Sequence, residues 1–212
     1  MSDDLLLEAR GLAAQRGYAT LFAGIAFSLR RGQALVVQGR NGSGKSTLLR
    51  IAAGLTMPSA GEIRWRGQAM RAFDARLREA VAFQGHAPAL KDELTAFENL
   101  DAWTSLHGAA VSRAAIDEAL DAVALSRRRR LPVRVLSQGQ RRRIGLARLA
   151  LCDRVVWILD EPLTALDAEA TDVLGRLLSR HLAANGICIA ASHQALPLEA
   201  RRMQQLSLGE EA

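Results

Sequence analysis

The residues best suited to chemistry form one glycine-rich stretch: Gly39, Arg40, Asn41, Gly42, Ser43, Gly44, Lys45, Ser46 and Thr47. Glycines let a backbone curl so that several N–H groups point at one anion. A helix that begins near Gly44 would direct the positive end of its dipole at the same place. Lys45 adds a full positive charge, and the Ser46 hydroxyl is an oxygen ligand of the kind that Mg²⁺ prefers. The spacing GxxxxGK[ST], between an apolar run and a helical pattern, predicts a loop that binds nucleotide phosphates.

Two adjacent carboxylates, Asp160 and Glu161, directly follow the apolar run 155–159. Such a run predicts a parallel strand that is buried on both faces, and ligands bind at the carboxyl ends of these strands. We expect Asp160 to hold Mg²⁺, through water or together with Ser46. Glu161 projects differently and is placed to polarise an attacking water as a general base. Together with the glycine-rich loop, the pair predicts hydrolysis of a nucleoside triphosphate.

The rest of the pattern predicts the elements that position these residues. Short apolar stretches predict strands at 5–7, 24–29, 34–38, 61–66 and 79–84, and buried strands at 155–159 and 187–191. Helical spacing of apolar residues predicts helices between 88 and 151, and again at 167–182. We therefore expect one α/β domain over 1–212, with a core at about 1–87 and 152–212 and a helical subdomain at about 88–151.

A second motif lies between the loop and the acidic pair: Leu136, Ser137, Gln138, Gly139 and Gln140. It resembles the LSGGQ signature of ABC-type ATPases, with Gln138 in place of the first glycine, and Ser137 is placed to cap a helix. The resemblance runs from Leu6 to about Leu208. It implies a P-loop NTPase fold of the ABC nucleotide-binding type, with an N-terminal antiparallel β part and a helical insertion. It also implies an ATPase that uses ATP and Mg²⁺ as a homodimer, in which the signature of one chain faces the γ-phosphate bound by the other.

Two further residues take roles from the same resemblance. Asp167, at the end of the sequence TALD, resembles the D-loop residue that crosses the dimer interface. His193, which follows the last predicted strand at 187–191, resembles the switch histidine that contacts the γ-phosphate. With Lys45 and Glu161, His193 completes the predicted catalytic set.

Two family roles have two candidate residues each in this sequence. The family often stacks an aromatic side chain on adenine. Here that position falls on Arg16, with Tyr18 two residues later, and either side chain can stack on a ring. The family glutamine that links nucleotide and Mg²⁺ to the transporter is matched by Gln84. The segment after Gln84 is slightly long, so His86 is the alternative.

Three segments resemble one subfamily, the CcmA-type cytochrome c maturation ATPases: GHAPALKDELTAFENL at 85–100, QRRR at 140–143 and WILDEP at 157–162. This resemblance implies a peripheral subunit on the cytoplasmic face of the bacterial inner membrane. Its implied partners are an integral CcmB-like protein and CcmC- and CcmD-like subunits, which act in haem export or haem-chaperone release. The sequence has no CxxCH motif, so we expect no direct haem binding by this chain.

Composition limits the other functions. The longest apolar runs have the length of strands and the start is acidic, which predicts neither a membrane span nor a signal peptide. The net charge is +6, but basic and aromatic residues do not interleave, and we expect no nucleic-acid partner. The alternatives are the ATPase subunit of another ABC importer or exporter and, after it, a soluble ABC ATPase that acts on nucleic acid.

Overall fold

The computed structural model describes residues 4–108 and 111–209. Its strands are β1 (Leu5–Arg16), β2 (Ala19–Arg30), β3 (Ala34–Gly39), β4 (Ala60–Trp65), β5 (Gln68–Met70), β6 (Val81–Gln84), β7 (Val156–Asp160), β8 (Ile187–Ala191) and β9 (Met203–Leu208). Its helices are α1 (Lys45–Ala52), α2 (Ala75–Ala80), α3 (Ala96–Leu106), α4 (Arg113–Ala122), α5 (Gln138–Ala150) and α6 (Ala168–Ala183). Within the described residues, every helix is too short or too polar to pass through a lipid bilayer.

The strands form two sheets, which confirm the predicted fold class. An antiparallel sheet near the N-terminus has the order β2-β1-β4-β5, and a parallel sheet has the order β6-β7-β8-β3-β9. In the parallel sheet, β3 pairs with β8 on one side and with β9 on the other. The carboxyl ends of β3, β6, β7 and β8 therefore lie at one edge of the sheet, which is where the predicted site residues follow in the chain.

Both sheets belong to one compact unit, made of residues 4–86, 154–162 and 178–209. Its apolar core joins β3, α1, β7 and β8 through buried side chains such as Leu35, Leu48, Ile158 and Ile189. Burying one such side chain stabilises a fold by roughly 1.5–3 kcal/mol. The core thus fixes β3 before the glycine-rich loop and α1 after it.

A second compact unit comprises residues 87–108, 111–153 and 163–177. Its helices α3, α4 and α5 pack on one another and bury Leu100, Ile116, Leu120 and Ile144. Two of these helices begin with a capping box: the Thr or Ser hydroxyl accepts the N–H three residues later, and the side chain of that later residue accepts the N–H of the Thr or Ser. Each capping box fixes the first residue of its helix, and the box of α5 contains the signature.

Several strand predictions were wrong in detail. β1 and β2 are each 12 residues long, whereas the sequence predicted only 5–7 and 24–29. The strand expected at 79–84 begins only at Val81, because Asp74 caps α2 and the helix runs through Ala80. The strand predicted at 187–191 is confirmed as β8, but β9 follows it and was not predicted. The side chains of β9 are mostly half-buried or exposed, so this edge strand lacks the continuous apolar run that marks a central strand.

Candidate active site

The glycine-rich loop joins β3 directly to α1. Gly39 has a φ of +146°, and a Cβ there would come within 2.5 Å of the Leu208 carbonyl oxygen. Gly44 precedes α1 with a φ of +96° and offers no side-chain cap. Both backbone conformations favour glycine. The N–H groups of the first turn of α1 lack intrahelical acceptors and are available to an anion.

Lys45 reaches back across this loop. Its ammonium group donates to the carbonyl oxygens of Gly39 at 2.8 Å and Arg40 at 3.1 Å, and the residue is only 8% exposed. Among the described residues no carboxylate pairs with it, so its charge is available to a ligand. The Ser43 hydroxyl is buried and has no hydrogen-bond partner within the same described part of the chain. A phosphate oxygen would satisfy both groups, and the loop therefore fits a phosphorylated ligand.

The acidic pair ends the central strand β7. Asp160 is 8% exposed and pairs in register with Ala191 of β8. Glu161 has a φ of +52°, and its N–H donates to the Ala191 carbonyl oxygen at 3.0 Å. A left-handed backbone costs a residue with a side chain roughly 1–2 kcal/mol, and strain of this kind concentrates at functional sites. The Glu161 carboxylate Oε1 lies 3.3 Å from Nε2 of His193.

One cavity of about 380 Å³ brings the loop and the acidic pair together. Its lining residues are Arg16, Leu21, Asn41, Gly42, Gly44, Lys45, Ser46, Thr47, His86, Asp160 and Glu161. The cavity has the size of a small-molecule site. It combines an ammonium group with hydroxyl and carboxylate oxygens, the groups that bind phosphates and a hard divalent cation.

The two roles with two candidates each differ in which candidate lines the cavity. Arg16 lines it, whereas Tyr18 is fully exposed in the turn between β1 and β2 and is not among the described lining residues. His86 also lines it, whereas Gln84, the half-buried last residue of β6, does not. His193 is likewise not among the described lining residues. It contacts the site through Glu161. The roles of Arg16, Tyr18 and Gln84 stay predictions.

The signature forms the N-terminus of α5 in the second unit. Ser137 precedes the helix; its Oγ accepts from the Gln140 N–H at 3.3 Å, and its own N–H donates to Gln140 Oε1 at 3.0 Å. Ser137 and Gln138 are exposed, and Gly139 is half-buried. The signature thus places an exposed helix N-terminus at the surface of the second unit, suited to an anion supplied from outside it.

Arg143 is a functional candidate that the sequence reasoning missed. It is 8% exposed, donates to the Val123 carbonyl oxygen at 3.0 Å and pairs with the carboxylates of Asp167 and Glu169. The hydrogen bond from Arg143 is the main reason why the pKa of Asp167 lies below its usual value. A signal existed in the sequence, because Arg143 shares a helix face with Leu146 and Ala147, and an arginine on an apolar face needs a carboxylate partner.

Known proteins resemble the chain over nearly its whole length. The family profile described as ABC transporter matches residues 22–164. The cytochrome c biogenesis ATP-binding export protein CcmA 2 of Cupriavidus metallidurans is 45% identical over 92% of this chain and 93% of its own. CcmA of Nitrosospira multiformis is 44% identical over 95% of this chain and 98% of its own. A solved structure of the ATP-binding subunit of an ABC transporter has a TM-score of 0.80 at 25% identity, and covers 96% of this chain and 85% of that one.

Proposed function

Because the chain belongs to the ABC transporter family and, within it, to the CcmA-type cytochrome c biogenesis ATP-binding export proteins, we propose that it hydrolyses ATP to drive a cytochrome c biogenesis complex in the membrane. The observation that carries this proposal is that Lys45, Ser46, Asp160 and Glu161 line the same cavity. A phosphate loop alone supports only nucleotide binding, whereas a carboxylate pair in the same cavity supports hydrolysis.

The loop binds the triphosphate of ATP. Amide groups at the start of α1 bind phosphate oxygens, and the ammonium of Lys45 exchanges its carbonyl partners for the β- and γ-phosphates. Arg16 stacks on the adenine from the rim of the cavity, with Tyr18 as the other candidate. These contacts hold the γ-phosphate in place for attack, which is the larger part of catalysis in phosphoryl transfer.

Ser46 and Asp160 fit Mg²⁺, because a hydroxyl and a carboxylate oxygen in one cavity are ligands that this ion prefers. When bound there, Mg²⁺ neutralises charge on the phosphate oxygens. Gln84, predicted from the family as a further contributor to nucleotide and Mg²⁺ binding, stays a candidate.

Glu161 activates the water. Its carboxylate is half-buried at the end of β7 and takes a proton from water as a general base. His193, 3.3 Å away, orients that carboxylate and contacts the γ-phosphate. Glu161 lines the cavity beside Asp160, and its left-handed backbone is strain of the kind that concentrates at functional sites.

A second copy of the chain completes the site. Ser137, Gln138, Gly139 and Gln140 form an exposed helix N-terminus that faces the γ-phosphate of the other copy. We assign nucleotide binding to the unit 4–86, 154–162 and 178–209, and the signature and Asp167 to the unit 87–108, 111–153 and 163–177. ATP binding then closes the homodimer.

The complex that we propose contains a membrane permease of the CcmB type, with CcmC- and CcmD-like subunits. The chain binds it at the cytoplasmic face of the bacterial inner membrane, and hydrolysis serves haem export or release of a haem chaperone. We assign no haem ligand and no nucleic-acid site to this chain.

A complementation experiment tests this function. In a bacterium that lacks its own CcmA-type subunit, the chain should restore c-type cytochromes and copurify with the permease in detergent. Lys45→Ala should abolish restoration, and Lys91→Ala, which changes the only other lysine, should not. Restoration by Lys45→Ala would refute the site, and copurification with an unrelated permease would refute the cytochrome c assignment.

A further inference from the structure

We propose that the basic segment 126–136, which lies between α4 and α5 in the second unit, binds the surface of an anionic lipid bilayer. The inference goes beyond the proposed function, in which the permease alone holds the chain at the membrane. It gives the chain a membrane contact of its own, which is made to lipid headgroups and needs no nucleotide.

The segment combines a high positive charge with a compact backbone. Its sequence is SRRRRLPVRVL, with five arginines and no acidic residue. It forms two short 3-10 turns, Ser126–Arg128 and Val133–Val135. The charge is therefore concentrated on a short stretch of chain that has a defined conformation.

Packing divides the segment into an inner and an outer side. Val133 and Leu136 are buried, and the Arg129 guanidinium is held by ion pairs to Asp117 and Asp121 of α4. These contacts anchor the inner side to the rest of the second unit. One arginine of the five is thus used inside the fold, and the other four are not.

The outer side consists of exposed side chains of two kinds, arginine and aliphatic. Leu131 is 40% exposed and Val135 is 58% exposed, although both are large and apolar. Among the described residues, no hydrogen bond or ion pair engages the side chains of the four outer arginines. The outer side is made of Arg127, Arg128, Arg130, Leu131, Arg134 and Val135.

This mixture of side chains fits a bilayer surface. Anionic headgroups attract guanidinium groups, and the apolar boundary just below them accepts side chains such as Leu131 and Val135. Arginine stems can lie along that boundary while their charged ends stay in water. Single-stranded nucleic acid is bound by stacking on aromatic side chains, and the segment has none. An acidic loop of a partner protein would match the charge alone, whereas lipid matches both the charge and the apolar side chains.

Sedimentation with lipid vesicles tests the proposal on the purified full chain, without the permease. Wild type should bind vesicles of equal parts phosphatidylglycerol and phosphatidylcholine, and should not bind vesicles of phosphatidylcholine alone. Arg127→Gln, Arg128→Gln and Arg130→Gln combined should weaken binding on the order of 100-fold, since each arginine near an anionic surface contributes about 5-fold. Added salt should weaken the binding of wild type as well. Wild type that binds neither kind of vesicle, or both equally, would refute the proposal.

A matched variant separates the segment from the total charge of the chain. Arg50→Gln, Arg71→Gln and Arg78→Gln combined remove the same charge from exposed positions in the unit that contains the phosphate loop. This variant should bind vesicles like wild type, and an equal loss in both triple variants would refute the role of the segment.

Two further outcomes distinguish the lipid contact from other functions. If the segment variant keeps its vesicle binding but no longer copurifies with the permease, the segment binds an acidic partner protein and the lipid proposal is wrong. Both triple variants should hydrolyse ATP in solution like wild type. Failure of the proposed function would be seen separately, as wild-type protein without ATPase activity.

Discussion

Nη2 of Arg143 lies 2.7 Å from both carboxylate oxygens of Asp167, and the same nitrogen lies 2.9 Å from Oε2 of Glu169. The guanidinium joins α5, which begins at the signature, to the segment that leads into α6. Asp167 in turn accepts the Ala170 N–H at 2.9 Å and so caps α6. One arginine thus holds two segments of the second unit that the proposed dimer needs at its interface.

Arg143→Met should lower the free energy of unfolding by about 1–3 kcal/mol, because it leaves the Val123 carbonyl without its donor and removes the ion pairs to Asp167 and Glu169. ATP hydrolysis should fall further than nucleotide binding, since the proposed nucleotide site lies in the other unit. Urea unfolding measures the loss of stability. Hydrolysis at saturating ATP measures the loss of activity. Arg141→Met, two residues earlier, removes a half-exposed ion pair with Asp92 and two long bonds, 3.2 Å each, to the carbonyls of Leu136 and Arg134, and should cost less. Equal losses in the two variants would argue against a special role for Arg143.

Glu161→Gln should retain ATP binding and lose hydrolysis, because the amide cannot accept the proton from water. ATP should then accumulate a closed dimer, visible as a shift in size-exclusion chromatography that ADP does not produce. Lys45→Ala in the same background should remove the dimer by removing phosphate binding. A Glu161→Gln protein that stays monomeric with ATP would contradict the two-copy site.

Arg148 holds the start of the second unit from the far end of α5. Its Nη1 and Nη2 donate to the carbonyl oxygens of Pro88 at 2.7 Å and Ala89 at 3.1 Å, and burial lowers its pKa to about 10, which leaves it charged at neutral pH. Arg148→Met should destabilise the protein by about 1–3 kcal/mol because it leaves both carbonyls without donors. Thermal unfolding would measure this loss, and Arg148→Lys, which keeps the charge but not the forked geometry, should recover only part of it. If Arg148→Met unfolds at the same temperature as wild type, the hydrogen bonds from Arg148 do not stabilise the protein.

His181 should make stability depend on pH in the weakly acidic range. Its ring stacks on Trp157 with centroids 4.0 Å apart, and burial lowers its pKa below the ordinary value of 6.5. Because the fold favours the neutral ring, this contribution is complete above about pH 6.5 and is lost as the pH falls through the lower folded pKa.

The measurement is the free energy of unfolding between pH 7.5 and 5.5. His181→Phe keeps a ring against Trp157 and removes the titration, so its stability should fall less than that of wild type across this range. Parallel curves for the two proteins would exclude His181 as the cause.

Sequence predicted the site residues that depend on local pattern. The glycine-rich loop, the apolar runs of β3, β7 and β8, and the cap at Ser137 are all readable from neighbouring residues. β9 was not predicted, because an edge strand with exposed positions lacks the apolar run of a central strand. The choice between Gln84 and His86 depends on the pairing of β6 with β7, more than 70 residues apart in the chain, and no local pattern contains that register. The bond between Arg143 and Asp167 was missed for the same reason, since it too spans two elements.

The order of the parallel sheet also sets when this site can exist during synthesis. β3 carries the phosphate loop and leaves the ribosome early, but both of its neighbours, β8 and β9, lie near the C-terminus. A nascent chain that ends before residue 187 has the complete glycine-rich motif but neither of the two strands that pair with β3. We therefore expect the phosphate loop to reach its folded geometry only after β8 and β9 have been synthesised.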